Sequence, residues 1–146
     1  EEGTPVSTSD RPILLVEDNP MDVDLTLRAF KRRRVTNVIH VARDGEEALA
    51  WIARWEAGEP WPAVILLDLK LPKVDGLDVL RQIKEHPTLR VIPVVVLTTS
   101  GEGADVMAAY QLGVNSYIVK PVEFEKFMDV SEKLDLYWTV VNQLPY

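Results

Sequence analysis

The sequence predicts an α/β fold, a doubly wound five-stranded parallel sheet with helices on both faces. Three observations carry that prediction. Ala63-Val64-Ile65-Leu66-Leu67 is a run of five apolar residues ending in Asp68, with turn formers on either side. Such a run is the habit of a strand covered on both faces, as in a parallel sheet. Four further short apolar runs, Pro12–Val16, Val38–Ala42, Pro93–Leu97 and Ser116–Val119, alternate with amphipathic stretches. Strand-helix alternation of this kind winds into a parallel sheet through right-handed crossovers. Finally, 146 residues with 47% hydrophobic and 27% charged content suit one globular domain with a single good core.

Taken in order, Glu1 to Asp10 is rich in Ser, Thr, Gly and acid and reads as a disordered lead-in. Strand one, Pro12–Val16, ends in Glu17-Asp18-Asn19-Pro20, where Asp18 or Asn19 caps a helix and Pro20 takes its first position. Helix one is expected to turn Val23, Leu27 and Phe30 inward and to end in Lys31-Arg32-Arg33-Arg34, cations that complement the negative helix end. Strand two spans Val38–Ala42. Asp44-Gly45-Glu46-Glu47 has capping-box spacing, and Leu49, Ile52 and Ala53 form the inner face of helix two. Trp51, Trp55 and Trp61 are expected to cover the end of that helix and its loop. After the central strand, Asp75 caps helix three, which faces Val79, Leu80 and Ile83 inward. Strand four, Pro93–Leu97, leads through Thr98-Thr99-Ser100-Gly101 into helix four, from Gly103 or Ala104 to Leu112, with Gly113 as its stop. Strand five, Ser116–Val119, ends in Lys120-Pro121, and helix five starts near Val122.

Composition excludes some classes of function. A net charge of −7 and a pI near 4.8 argue against nucleic-acid or anionic-membrane binding, which need a basic face. Zero cysteines exclude disulfides and thiolate metal sites. No apolar stretch approaches a membrane span and no leader precedes the first strand, so a cytoplasmic location is the expectation. His40 and His86 lack metal-ligand partners nearby in sequence and are expected to be structural or solvent-facing.

The chemistry gathers at the carboxyl ends of the strands, the edge where open parallel sheets bind ligands. Glu17 and Asp18 follow strand one, Asp68 strand three, Thr98 strand four and Lys120 strand five. Taken singly, Thr98 is a turn hydroxyl, Lys120 a snorkelling cation and Tyr117 a half-buried core aromatic. Together they converge. Two carboxylates ~4 Å apart repel by about 4 kcal/mol at an effective dielectric of 20, so three of them need cations. Lys120 supplies one charge, and a divalent metal with oxygen ligands, Mg2+ or Mn2+, supplies the rest. A carboxylate, a hydroxyl, an ammonium and such a metal suit phosphoryl transfer to Asp68.

These motifs in order, the strand-one acids, Leu66-Leu67-Asp68 with Leu71-Pro72 and Asp75-Gly76 behind it, Val96-Leu97-Thr98 and Val119-Lys120-Pro121, resemble the receiver domain of bacterial two-component response regulators. The resemblance runs from Arg11 to about Leu136. It implies a flavodoxin-like sheet of order 2-1-3-4-5, with Asp68 accepting a phosphoryl group from a sensor histidine kinase. It implies Mg2+ on Asp18, Asp68 and the backbone carbonyl of Lys70, with Glu17 reaching the ion through water. Thr98 would bond a phosphoryl oxygen, Lys120 would bridge to it, and Tyr117 would swing inward as Thr98 moves. A cis peptide before Pro121 is implied as well, although only about 5–6% of such bonds are cis. Departures from the common pattern are Glu17 in place of Asp, Val122 after Pro121, and Lys70 two residues beyond the acceptor, a cation placed by the phosphoryl group.

Beyond the sheet, Val130, Leu134, Tyr137, Val141 and Leu144 recur at spacings of four, three, four and three, a helix-helix seam. Residues 137–146 are therefore expected to extend helix five and, with Leu134, Tyr137, Trp138 and Val141, to form a homodimer contact. No DNA-binding or enzymatic output domain is expected after strand five. Asp18-Asn19-Pro20, Leu97-Thr98-Thr99-Ser100 and the Tyr-Trp end resemble the stand-alone receivers that partner bacterial phytochromes. The expected function is that of a phosphoacceptor signalling protein. The alternatives are a phosphorelay intermediate feeding a histidine phosphotransfer protein, an aspartyl-nucleophile phosphatase, which would want an acid at Lys70, and a flavin carrier, whose phosphate Glu17 and Asp18 would repel.

Overall fold

The computed structural model describes residues 11–32 and 34–120. Strands β1 (Ile13–Val16), β2 (Ile39–Ala42), β3 (Val64–Leu67), β4 (Val94–Thr98) and β5 (Ser116–Val119) alternate with helices α1 (Pro20–Arg32), α2 (Gly45–Glu56), α3 (Gly76–Lys84) and α4 (Gly103–Gln111). The strands form one parallel sheet in the order β2-β1-β3-β4-β5. The order implied by the resemblance is the order observed.

Successive side chains of a strand point to opposite faces, and the core divides accordingly. Leu14, Val16, Ile65, Leu67, Val94 and Val96 pack with Ile52, Trp55, Val79, Leu80 and Ile83 of α2 and α3. On the other face, Ile13, Leu15, Val64, Leu66, Val95 and Leu97 pack with Val23, Ala29 and Phe30 of α1. Both faces of β3 are covered, so all four of its residues are buried. Each fully buried Leu or Ile contributes about 1.5–3 kcal/mol, and Leu66→Ala would leave a cavity costing about 2–5 kcal/mol.

Helix positions depart from expectation in two places. Leu27 is exposed, and α1 instead buries Val23, Thr26, Ala29 and Phe30. Thr26 can face inward because its hydroxyl donates to the Asp22 carbonyl at 2.8 Å, which satisfies the polar atom within the helix. In α2 the inner face is Ala48, Ile52 and Trp55, while Ala53 is exposed and Leu49 half-buried. The larger ring claims the core side. Trp51 stacks on His40 with centroids 4.5 Å apart, and His86 accepts from the amides of Thr88 and Leu89, so both histidines are structural.

Helix starts set the loops around the sheet edge. Asn19 caps α1 by accepting from Met21 N at 2.9 Å, and Asp44 caps α2 by accepting from Glu47 N at 2.8 Å. Asp75 stands at the cap of α3 without a side-chain bond. Gly76 is needed there for a steric reason: a Cβ would meet the Asp68 carbonyl oxygen at 2.4 Å. Its absence lets α3 close against the end of β3. The expected lead-in Glu1–Asp10, the Lys120–Pro121 peptide, helix five, and Leu134, Tyr137, Trp138 and Val141 lie outside the described residues.

Candidate functional site

Parallel register brings the strand ends level. Val16 pairs with Leu67, Leu67 with Val96, and Thr98 with Val119, so the next residues, Glu17, Asp68 and Lys120, meet at one edge beside Thr98. Asp68 is 6% exposed and Thr98 fully buried. The Thr98 hydroxyl donates to Asp68 Oδ1 at 2.7 Å, and the Lys70 amide donates to the same oxygen at 3.1 Å. The other oxygen, Oδ2, faces the Lys120 ammonium at 3.3 Å. The two oxygens of Asp68 are thus held by different partners.

Lys120 also donates to Glu17 and, at 2.9 Å, to Asp22 of α1. Burial alone would pull its pKa down, but the bonds to Glu17 and Asp22 and the charge of Asp68 outweigh it and push it up. Burial pushes the Glu17 carboxyl up to about 7 against the Lys120 bond, with the Asp68 charge adding to the rise. Glu17, Asp18 and Asp68 each place an oxygen within 4.8 Å of the others. Asp18 is exposed on the loop above, so the group has one face open to solvent. Three carboxylates, Glu17, Asp22 and Asp68, share the one ammonium, and Asp18 adds a fourth acid beside them. That excess negative charge, borne by hard oxygen donors, fits a divalent cation such as Mg2+ or Mn2+.

A second set of bonds flanks Asp68. The Tyr117 hydroxyl donates to the Ser100 carbonyl at 2.6 Å, the Ser100 hydroxyl donates to Asp105 Oδ2 at 2.5 Å, and Lys70 Nζ lies 3.4 Å from the same carboxylate oxygen. Burial raises the Tyr117 pKa, and the Ser100 bond lowers that of Asp105. The side chain of Lys70 therefore turns to α4. Asp105, in the first turn of α4, is the carboxylate its ammonium pairs with.

The predicted strand-end residues Glu17, Asp18, Asp68, Thr98 and Lys120 converge, while of the residues named by the resemblance Lys70 reaches Asp68 through its backbone amide and Tyr117 bonds the Ser100 carbonyl. The sequence argument missed Asp22, Ser100 and Asp105. Asp22 and Asp105 were visible as first-turn acids of α1 and α4, a placement ordinarily explained by the helix dipole.

The family model of the response regulator receiver domain matches residues 13–132. The chain belongs to the response regulator receiver family. This receiver is 48% identical over 134 residues to the probable methanogenesis regulatory protein FilR2 of Methanothrix harundinacea, covering 91% of this chain and 86% of that one. It is 39% identical over 141 residues to response regulator Rcp1 of Synechocystis, covering 95% and 96% of the two chains. The Mn2+-bound form of Rcp1 aligns with a TM-score of 0.82 at 38% identity over 93% of this chain and 99% of that one. The bacteriophytochrome response regulator AtBRR aligns with a TM-score of 0.71 at 51% identity, covering 88% and 94%. Receivers of this family are signalling proteins that bind Mg2+ at an acidic pocket, and the group Glu17, Asp18 and Asp68 of this receiver is consistent with one. Among the described residues no helix is long and apolar enough to cross a membrane.

Proposed function

We propose that this receiver takes a phosphoryl group onto Asp68 from a sensor histidine kinase and signals through the change that follows. One observation carries the reading: a buried carboxylate whose two oxygens are held by a hydroxyl and an ammonium, beside two further acids. Asp68 attacks phosphorus, Lys120 balances the charge of the phosphoryl oxygens, and the Thr98 hydroxyl exchanges Asp68 for one of them. Asp18, Asp68, the carbonyl of Lys70 and, through water, Glu17 would hold Mg2+. The ion would neutralise charge on the transferred oxygens, the main contribution in such reactions. Tyr117, bonded to the Ser100 carbonyl, is the aromatic that couples Thr98 to α4.

The partner we propose is a bacteriophytochrome-type kinase, a reading supported by the 51% identity to AtBRR. The protein would act in the cytoplasm as a homodimer through Leu134, Tyr137, Trp138 and Val141. Onward transfer to a histidine phosphotransfer protein is the alternative output.

Incubation with Mg2+ and acetyl phosphate, read by intact mass, tests the chemistry. We expect a phosphate-sized gain that Asp68→Asn abolishes; no gain in the wild type overturns the proposal. Light scattering on the same samples tests the dimer, and a protein monomeric in both states would overturn that part.

A further inference from the structure

The ammonium of Lys120 has three N–H donors, and in this structure each goes to a different carboxylate: Glu17, Asp68 at 3.3 Å and Asp22 at 2.9 Å. Two of these partners change during the proposed reaction. Asp68 is esterified by phosphorus, and both Glu17 and Asp68 belong to the oxygen group suited to the cation. Asp22 is outside that group. Its backbone is fixed in the first turn of α1, where Asn19 Oδ1 accepts from the Asp22 amide at 3.4 Å and the Asp22 carbonyl accepts from Thr26. Its side chain is 26% exposed, and its partner Lys120 is 98 residues away in sequence. A first-turn acid serving only the helix dipole would need no such partner. By contrast, the Arg28–Asp24 pair on the same helix is 67% and 61% exposed, the kind of surface pair that contributes little.

We propose that Asp22 is a positioning residue for phosphoryl transfer, the fixed partner that keeps the Lys120 ammonium beside Asp68 when Glu17 and Asp68 turn to the metal and to phosphorus. This rests on the reading of Asp68 as phosphoacceptor. In the step itself an Asp68 oxygen bonds to phosphorus while the bond from phosphorus to the donor oxygen breaks, and acetate leaves with the electron pair when acetyl phosphate is the donor. Negative charge stays on the phosphoryl oxygens throughout, and no proton moves at Asp68. The flexible stem of Lys120 can satisfy that charge only if the ammonium is held near it. With Asp22 gone, no carboxylate outside the cation group holds the ammonium beside Asp68.

The test is a double-mutant cycle on the full chain, with phosphorylation by acetyl phosphate at saturating Mg2+ followed by intact mass. Asp22→Asn is expected to slow the rate at least about tenfold, the scale of a lost hydrogen bond to a charged group. Asp22→Glu, which keeps the carboxylate, should restore most of the rate. In a Lys120→Met background, Asp22→Asn should add little further loss, because coupled residues are not additive. A rate within about twofold of wild type for Asp22→Asn overturns the proposal, as does an equal loss with and without Lys120. Should Asp22→Asn fail to fold by circular dichroism, the Asp22→Glu rate decides: a rate as low as that of Lys120→Met overturns the proposal. An unphosphorylated wild type overturns the Asp68 reading and this inference with it. Normal wild-type and normal Asp22→Asn rates overturn this inference alone.

Discussion

Two lysines are drawn into the protein at opposite edges of the sheet, and their surroundings differ in kind. At the amino edge, Lys84 donates to the carbonyls of Arg90 and Ile92 at 3.0 and 2.7 Å and approaches Asn115 Oδ1 at 3.4 Å. All three acceptors are neutral. Burial therefore goes unopposed and lowers its pKa to about 8. At the carboxyl edge, Lys120 meets Glu17, Asp22 and Asp68, and its pKa is pushed up despite burial. Lys84 stitches the 3-10 turn at Leu89–Val91 to the starts of β4 and β5, using dipoles that need no counter-charge. Lys120 joins the ends of β1, β3 and β5 through charges that a reaction can redistribute. A fold uses neutral partners where it only needs to close, and charged ones where it must respond.

Replacing each lysine by methionine is the strongest way to break the comparison. Lys120→Met leaves Glu17, Asp68 and Asp22 without their cation, and removing one partner of a buried ion pair costs about 3–5 kcal/mol. Urea denaturation without added metal should show a large drop in the midpoint, and phosphorylation should fall far below wild type. An unchanged midpoint would mean that the carboxylates do not depend on Lys120.

The next effect concerns the metal. If the acidic group binds Mg2+ in the folded state only, the ion at ten times its Kd should stabilise the wild type by about 1.4 kcal/mol. Asp18→Asn should remove most of that gain, since Asp18 contributes an oxygen to the group while lying exposed. Lys84→Met should keep it, being at the other edge. Thermal melts with and without Mg2+ check both, and a gain that survives Asp18→Asn would move the cation elsewhere.

The same contrast explains what could be read from the sequence. Strand ends are legible because a buried strand is an unbroken apolar run, and the residue that breaks it stands at the sheet edge. Asp68, Thr98 and Lys120 follow from that rule alone. Position within a helix is less legible. Leu27 and Ala53 fit the helical period as well as Thr26 and Trp55 do, and which of them faces the core depends on how the helix is rotated on the sheet, a property of packing. Asp22 and Asp105 were hidden for a related reason. A first-turn acid has a local explanation in the helix dipole, and only the fold reveals a distant lysine beside it. The side chain of Lys70 shows the same: sequence placed its backbone by the acceptor, and only the fold reveals Asp105 as the partner of its ammonium.

The smallest expected effect is the most diagnostic of the difference between the lysines. At pH 7, Lys84→Met removes hydrogen bonds to neutral carbonyls, worth about 1 kcal/mol each, but it also removes an ammonium whose burial is unfavourable, so the two changes oppose each other and the midpoint should move little. Raising the pH separates them. The folded protein releases the Lys84 proton near pH 8, whereas the unfolded chain keeps it to about 10.5. In that window unfolding takes up a proton, so stability contributed by this site rises with pH. Lys84→Met has no such group. The wild type should therefore gain on the variant as pH climbs from 8 towards 10, while the contribution of Lys120, whose pKa is raised, stays fully present throughout. Paired urea titrations at pH 7, 8.5 and 9.5 check the sign. A difference that stays flat, or turns in favour of the variant, would show that the amino-edge carbonyls solvate the Lys84 charge as well as water does.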